Sequence, residues 1–175
     1  MLRILKIINN MLYRVLIEYG LIRSKRFKVN GKKILFHSIR KNNLLKNICI
    51  LGFESHENEV IKLVKNYHWE LDCFYDIGSN IGHYAVIASS YHKESDVIAV
   101  EPFPLNAEYI KQIKDNNDMK FSIVQRAVDS ISNQEKTFYF PISKSSSKLP
   151  GTGTLINTFK GSGGIFNSIP FKTVK

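Results

Sequence analysis

Hydrophobic and polar residues change their period several times along this chain, and each change predicts an element. Over residues 2–22, Leu5, Ile8, Leu12, Leu16 and Tyr19 recur at helical spacing with Arg3, Lys6, Asn10 and Arg14 between them. That pattern predicts an amphipathic helix ending near Gly20. Charges interrupt every window of about 18 residues, so no membrane span is expected. No small-residue cleavage site follows a clean apolar core, as a signal peptide would require. Such a helix can dock on the domain core or lie on a membrane, since apolar plus basic is the composition interfacial helices use. Residues 26–39 alternate around Asn30-Gly31, a dipeptide suited to positive φ at both centres of a type I′ turn, and predict a β-hairpin. Residues 44–52 form a further short apolar run, and Glu54, Glu57 and Glu59 precede a helical pattern over 60–67. Acids there suit the positive end of the helix dipole.

From residue 71 the period shifts again. A buried strand is predicted at 73–77, then a glycine turn, a helix through 85–90, and a second buried strand at 97–100 that stops at Glu101-Pro102. A helix over 106–113, a third strand over 121–128 and a fourth over 136–140 follow. Strands alternating with helices argue an α/β fold with a parallel sheet of βαβ units. Beyond Pro141 the composition loosens into Ser145-Ser146-Ser147 and Gly161-Ser162-Gly163-Gly164, a Ser/Gly-rich loop near 143–168, and 169–174 can begin another strand. No internal repeat is visible.

Composition changes the picture in two ways. At 175 residues with 43% hydrophobic content, one compact domain is the working expectation. Cys49 and Cys73 are distant and lie in apolar runs, which fits neither a disulfide framework nor a thiolate metal site and favours a reducing, cytoplasmic compartment. Charge is more informative by position than by size. Residues 1–50 hold 12 Lys+Arg against the single acid Glu18, giving +11, while the remaining 13 Lys+Arg and 14 Asp+Glu give −1. A basic lobe suggests an anionic neighbour such as a membrane surface, a phosphorylated carrier or nucleic acid; a solvated face without a partner is the plainer alternative.

The chemistry gathers at Asp76-Ile77-Gly78-Ser79-Asn80-Ile81-Gly82, after a buried strand and before a helix. Gly78 permits a sharp turn off the strand, Asn80 tolerates left-handed φ, and Gly82 is expected to let the helix start approach a ligand. Helix-start N–H groups can then face a carboxylate or ribose. Nineteen positions after Gly82, Glu101 ends the second strand, where a carboxylate can accept both hydroxyls of a ribose. Pro102 stops the strand, and Phe103 offers a face for adenine. A dinucleotide fingerprint would need glycines where Asn80 and His83 stand, and no G-K-[ST] follows. S-adenosylmethionine carries no phosphate and needs neither; Asp76 suits its ammonium and Glu101 its ribose.

These residues resemble the FkbM-type methyltransferases, whose first motif reads much like D-x-G-A-N-x-G and whose second strand ends in E-P. Here the corresponding stretches are Asp76 to Tyr84 and Val100-Glu101-Pro102-Phe103-Pro104, with Ser79 at the usual alanine and His83 at a usual aromatic or aliphatic position. The basic helix, the hairpin, Gly52-Phe53-Glu54, Arg126-Ala127-Val128-Asp129 and Gly153-Thr154-Leu155 follow the family's order of features. The resemblance implies a class I, Rossmann-like sheet preceded by an N-terminal helix and hairpin. It divides the chain into a basic lead-in at 1–70 and a partial cofactor-binding domain at 71–175. It also implies strand order 3-2-1-4-5-7-6, with later core strands beyond Lys175, so that the strand at 73–77 would be left as an apolar edge and this chain would be a C-terminally truncated front half.

The activity implied is methyl transfer from S-adenosylmethionine to an oxygen of a sugar or other small hydroxylated acceptor, as in glycan biosynthesis. The cofactor-binding residues implied are Asp76, Gly78, Ser79, Asn80, Gly82, Glu101, Pro102, Phe103 and Asp129, with no catalytic base assigned. Asp129 would hydrogen-bond the adenine amino group or serve as a plain turn residue. His83 and Tyr84 can face the ligand or pack, and Glu54 and Glu57 can reach it or merely start a helix. The histidines show no metal-ligand spacing. Peripheral association with an anionic membrane is expected and nucleic acid is not. The rival readings are a non-catalytic cofactor-binding fragment, a nucleic-acid methyltransferase with salt-dependent binding, and a nicotinamide-dependent reductase.

Overall fold

A computed structural model describes residues 2–66, 72–93, 96–141, 149 and 166–174. The chain divides into two compact units, Met1–Trp69 and Glu70–Lys175.

The first unit begins with helix α1 (Leu2–Glu18), followed by strands β1 (Ser24–Val29) and β2 (Lys32–His37), a 3₁₀ turn at Ile39–Lys41, and helices α2 (Asn43–Leu51) and α3 (Asn58–Asn66). The hairpin forms where alternation predicted it: Asn30 and Gly31 take φ of 43° and 81°, and Phe27 pairs with Ile34 across the antiparallel ladder. Phe27, Phe36 and Phe53 pack with ring centroids 5.0–5.8 Å apart, an aromatic cluster beneath one face of the hairpin. The apolar run at 44–52 is the helix α2, capped by Asn42, whose Oδ1 accepts from Leu45 N at 3.0 Å. Glu59 alone of the three acids stands in the first turn of α3, while Glu54 pairs with Lys65 Nζ at 2.8 Å. The Cys49 thiol is buried, and burial pushes its pKa up to about 12, so it is inert at neutral pH.

In the second unit β3 (Cys73–Ile77), α4 (His83–Tyr91), β4 (Asp96–Val100), α5 (Pro104–Asn116) and β5 (Ser122–Val124) alternate as two βαβ turns. The sheet order is β3-β4-β5, all parallel, with Asp76 opposite Ala99 and Ile98 opposite Ser122. This is a mixed α/β arrangement with a parallel three-stranded sheet flanked by helices, as in half of a Rossmann-like sheet. Both crossovers step the same way across the sheet, which for right-handed connections places α4 and α5 on one face. Phe74, Asp76, Val97 and Ala99 point to that face; Tyr75 and Ile77 point to the other and are 60% and 63% exposed. Among the described residues β3 has no neighbour on its second edge.

The third strand departs from expectation. Residues 121–128 do not form one strand: β5 stops at Val124, where Arg126 N bonds back to Val124 O at 3.0 Å. An i→i−2 bond of this kind turns the chain and withdraws it from the ladder of β4. Residues from Ala127 onward belong to a second sheet, in which β8 (Phe166–Val174) lies between β6 (Ala127–Val128), parallel to it, and β7 (Glu135–Pro141), antiparallel. The fourth predicted strand is thus β7 and lies outside the parallel sheet. The strand expected at 169–174 begins at Phe166. Most of the Ser/Gly-rich stretch, and Gly153-Thr154-Leu155, fall outside the described residues.

Candidate functional site

The carboxyl ends of β3 and β4 are adjacent strand ends in a parallel sheet, the place where such sheets bring functional side chains together. The turn leaving β3 reverses direction through three left-handed residues in five: Gly78 at φ 76°, Asn80 at 53° and Gly82 at 72°. Gly78 and Asn80 take the conformations their residue types suggested. The turn is then stitched to β4. Gly78 N and Ser79 N both donate to Val100 O, at 2.8 and 3.1 Å, and Asn80 N donates to Glu101 Oε2 at 2.7 Å.

Glu101 is 5% exposed. Besides Asn80 N it accepts from Phe103 N at 2.9 Å and, more weakly, from Asn106 Nδ2 at 3.4 Å, both at Oε1. Burial pushes its carboxyl pKa up; the three donors oppose this, and the negative charge of Asp76 adds to it. A carboxylate offers about four lone-pair sites, so three donors leave it close to saturated. A ribose diol accepted through both hydroxyls would therefore have to displace the long Asn106 contact.

Asp76, 7% exposed, performs a local task as well. Helix α4 has Gly82 at its N-cap and hence no capping side chain. The missing acceptor comes from the preceding strand: Asp76 Oδ2 takes the Ala85 N–H at 2.9 Å. Burial pushes the Asp76 pKa up to about 6 against the opposing bonds from Ala85 and Ser79. Two buried carboxyl groups thus stand beside one turn, both harder to ionise than in water.

Other predicted site residues take different parts. Ser79 is buried and donates its hydroxyl to Asp76 O at 2.6 Å, with Val100 O at 3.4 Å, so its hydroxyl braces the turn from within. Gly82 is also held small by its protein neighbours. A Cβ there would stand 3.1 Å from Ile110 Cγ2, so the missing side chain lets the start of α4 press against α5. Phe103, 7% exposed, is the N-cap of α5 ahead of Pro104 at the first helical position, and its ring is largely covered by protein. Pro102 is half-buried between strand and helix. His83 is buried in the first turn of α4, edge-on to Tyr84 with ring centroids 5.5 Å apart. Asp129 lies five residues past the end of β5, beside β6, where it bonds Ser130 N at 2.6 Å and pairs with Lys136. The lysine holds its pKa below the usual carboxylate range. It is not among the groups that meet at the β3 and β4 ends.

Asn106 is the residue that sequence reading missed. Its signal is a polar side chain on the buried face of α5, shared with Ala107, Ile110 and Ile113, five positions after Glu101. No group of three or more His, Cys, Asp or Glu among the described residues is arranged to hold a metal ion. No protein-family model and no curated protein matches the chain.

Proposed function

We propose that the second unit binds S-adenosylmethionine at the ends of β3 and β4 and serves methyl transfer to an oxygen of a sugar or other small hydroxylated acceptor. One observation carries the reading: two buried carboxyl groups, Asp76 and Glu101, flank a left-handed turn hydrogen-bonded to one of them. Buried acids with raised pKa values favour a cationic ligand, which relieves their desolvation, and disfavour a pyrophosphate. S-adenosylmethionine brings an ammonium and a sulfonium; a nicotinamide dinucleotide brings two negative charges.

When bound, the cofactor would supply an electrophilic methyl group for in-line transfer to the acceptor oxygen. In this reading Asp76 would meet the ammonium with the oxygen that does not hold Ala85, and Glu101 would accept both ribose hydroxyls once Asn106 yields. The acceptor's proton needs a base, and none of the residues at these strand ends is assigned to it.

Calorimetric titration of S-adenosylmethionine and NAD tests the reading. The sulfonium donor is expected to bind more tightly, and its affinity to fall as pH drops through about 6, where Asp76 takes up a proton. Glu101→Gln keeps an acceptor for one N–H while removing the charge, and is expected to weaken binding by about tenfold to a hundredfold. Preference for NAD, or affinity that ignores both pH and Glu101→Gln, ends the proposal.

A further inference from the structure

Helix α1 is turned the wrong way for a helix held by its own apolar stripe. Ile4, Ile8, Met11 and Val15 recur at spacings of four, three and four, and Leu5, Leu12 and Tyr19 accompany them at intervals of seven. At 3.6 residues per turn the six within α1 form one continuous apolar face, and Tyr19 follows just past the helix end. Every one is exposed, from 48% at Val15 to 79% at Tyr19. The side that meets α2 and the 3₁₀ turn is carried instead by buried Ile17 with half-buried Tyr13 and Asn10, and by polar bonds from Arg14 to Asn47 and from Lys46 to Glu18. A hydrophobic face of this extent left in water is a contact surface awaiting a partner.

Charge selects the partner. Residues 1–50 carry +11, and their single acid, Glu18, is already paired with Lys46 at 2.7 Å. Lys6 and Arg14 are exposed on the same helix. A second copy docking stripe to stripe would bring two such lobes together against their mutual repulsion, whereas a surface of anionic lipid headgroups attracts them. Among the described residues no helix is long and apolar enough to cross a membrane. We propose that α1 lies in the interface of an anionic bilayer, with Ile4, Ile8, Met11 and Val15 toward the acyl chains and the net positive charge of residues 1–50 drawing the lobe to the headgroups. This assignment is independent of the cofactor reading, since it concerns the other unit.

Flotation of the full chain with vesicles tests it. Binding is expected with phosphatidylcholine containing phosphatidylserine, to weaken with salt, and to be much smaller with phosphatidylcholine alone. Ile8→Glu combined with Met11→Glu is expected to reduce partitioning by at least about tenfold. Lys6→Glu is expected to reduce it by about fivefold or more. Because these side chains are exposed, the thermal unfolding of each variant should match that of the parent, which separates lost binding from lost folding. Three results would overturn the assignment: no binding to the serine-lipid vesicles, equal binding to both vesicle types, or a dimer in sedimentation that the same variants abolish while vesicles go unbound.

Discussion

Helices α1 and α4 carry opposite instructions in similar alphabets. The 17 residues of α1 include a full apolar stripe, yet only Ile17 of its described side chains is buried. The nine residues of α4 have no strong one-sided pattern, yet His83, Ala85, Val86, Ile87, Ala88 and Ser90 are all buried. A stripe states how a helix would divide two environments, and does not say which side the protein takes. Helix α4 packs on β3 and β4, and its small side chains, Ala85, Ala88 and Ser90, suit close packing. Periodicity is therefore the better guide to the existence of α1, and topology to the burial of α4.

Matched substitutions give the sharpest contrast. Ile87, 1% exposed on α4, and Ile8, 56% exposed on α1, are the same residue in the same kind of backbone. Ile87→Ala is expected to cost about 2–5 kcal/mol in urea unfolding, through lost burial and a cavity. A small effect would mean that α4 is less enclosed than described.

Next in size is the charge beneath α4. Asp76 has a folded pKa of about 6 against an ordinary 3.8, so the folded chain holds its proton more tightly than the unfolded chain. Stability then falls as pH rises from about 4 to 6 and stays reduced above that. At about 1.36 kcal/mol per unit the penalty at neutral pH is roughly 3 kcal/mol. Asp76→Asn keeps an acceptor for Ala85 N and is expected to remove most of that slope, measured by unfolding across this pH range. A stabilising substitution at this position would fit an acid kept for ligand binding at a cost in stability. An unchanged slope would assign it to other groups.

Gly82→Ala comes third, at about 1–3 kcal/mol, combining left-handed φ with contact against Ile110. A neutral result would show that α4 and α5 can part. At the bottom of the scale, Ile8→Ala is expected to change stability by less than about 0.5 kcal/mol. A large loss there would mean that the α1 stripe is covered in solution by something that also stabilises the fold.

Much of this was legible in residue order. Asn30-Gly31 marks its hairpin, Cys73–Ile77 has the bounds of its apolar run, and Gly78 and Asn80 announce left-handed backbone, because each depends on a residue and its immediate neighbours. Glu101 at a strand end was visible for the same reason. Hidden from the sequence were the partners. Asp76 caps a helix through an N–H nine residues away, Gly82 lies against Ile110, Asn106 joins Glu101 from the next helix, and the chain leaves β4 at Val124 to build a second sheet. Local backbone preference is a property of short range and survives in any context. Which side chain meets which, and which face of a helix is left to solvent, follows from how sheet and helices close on one another, and only the folded chain decides it.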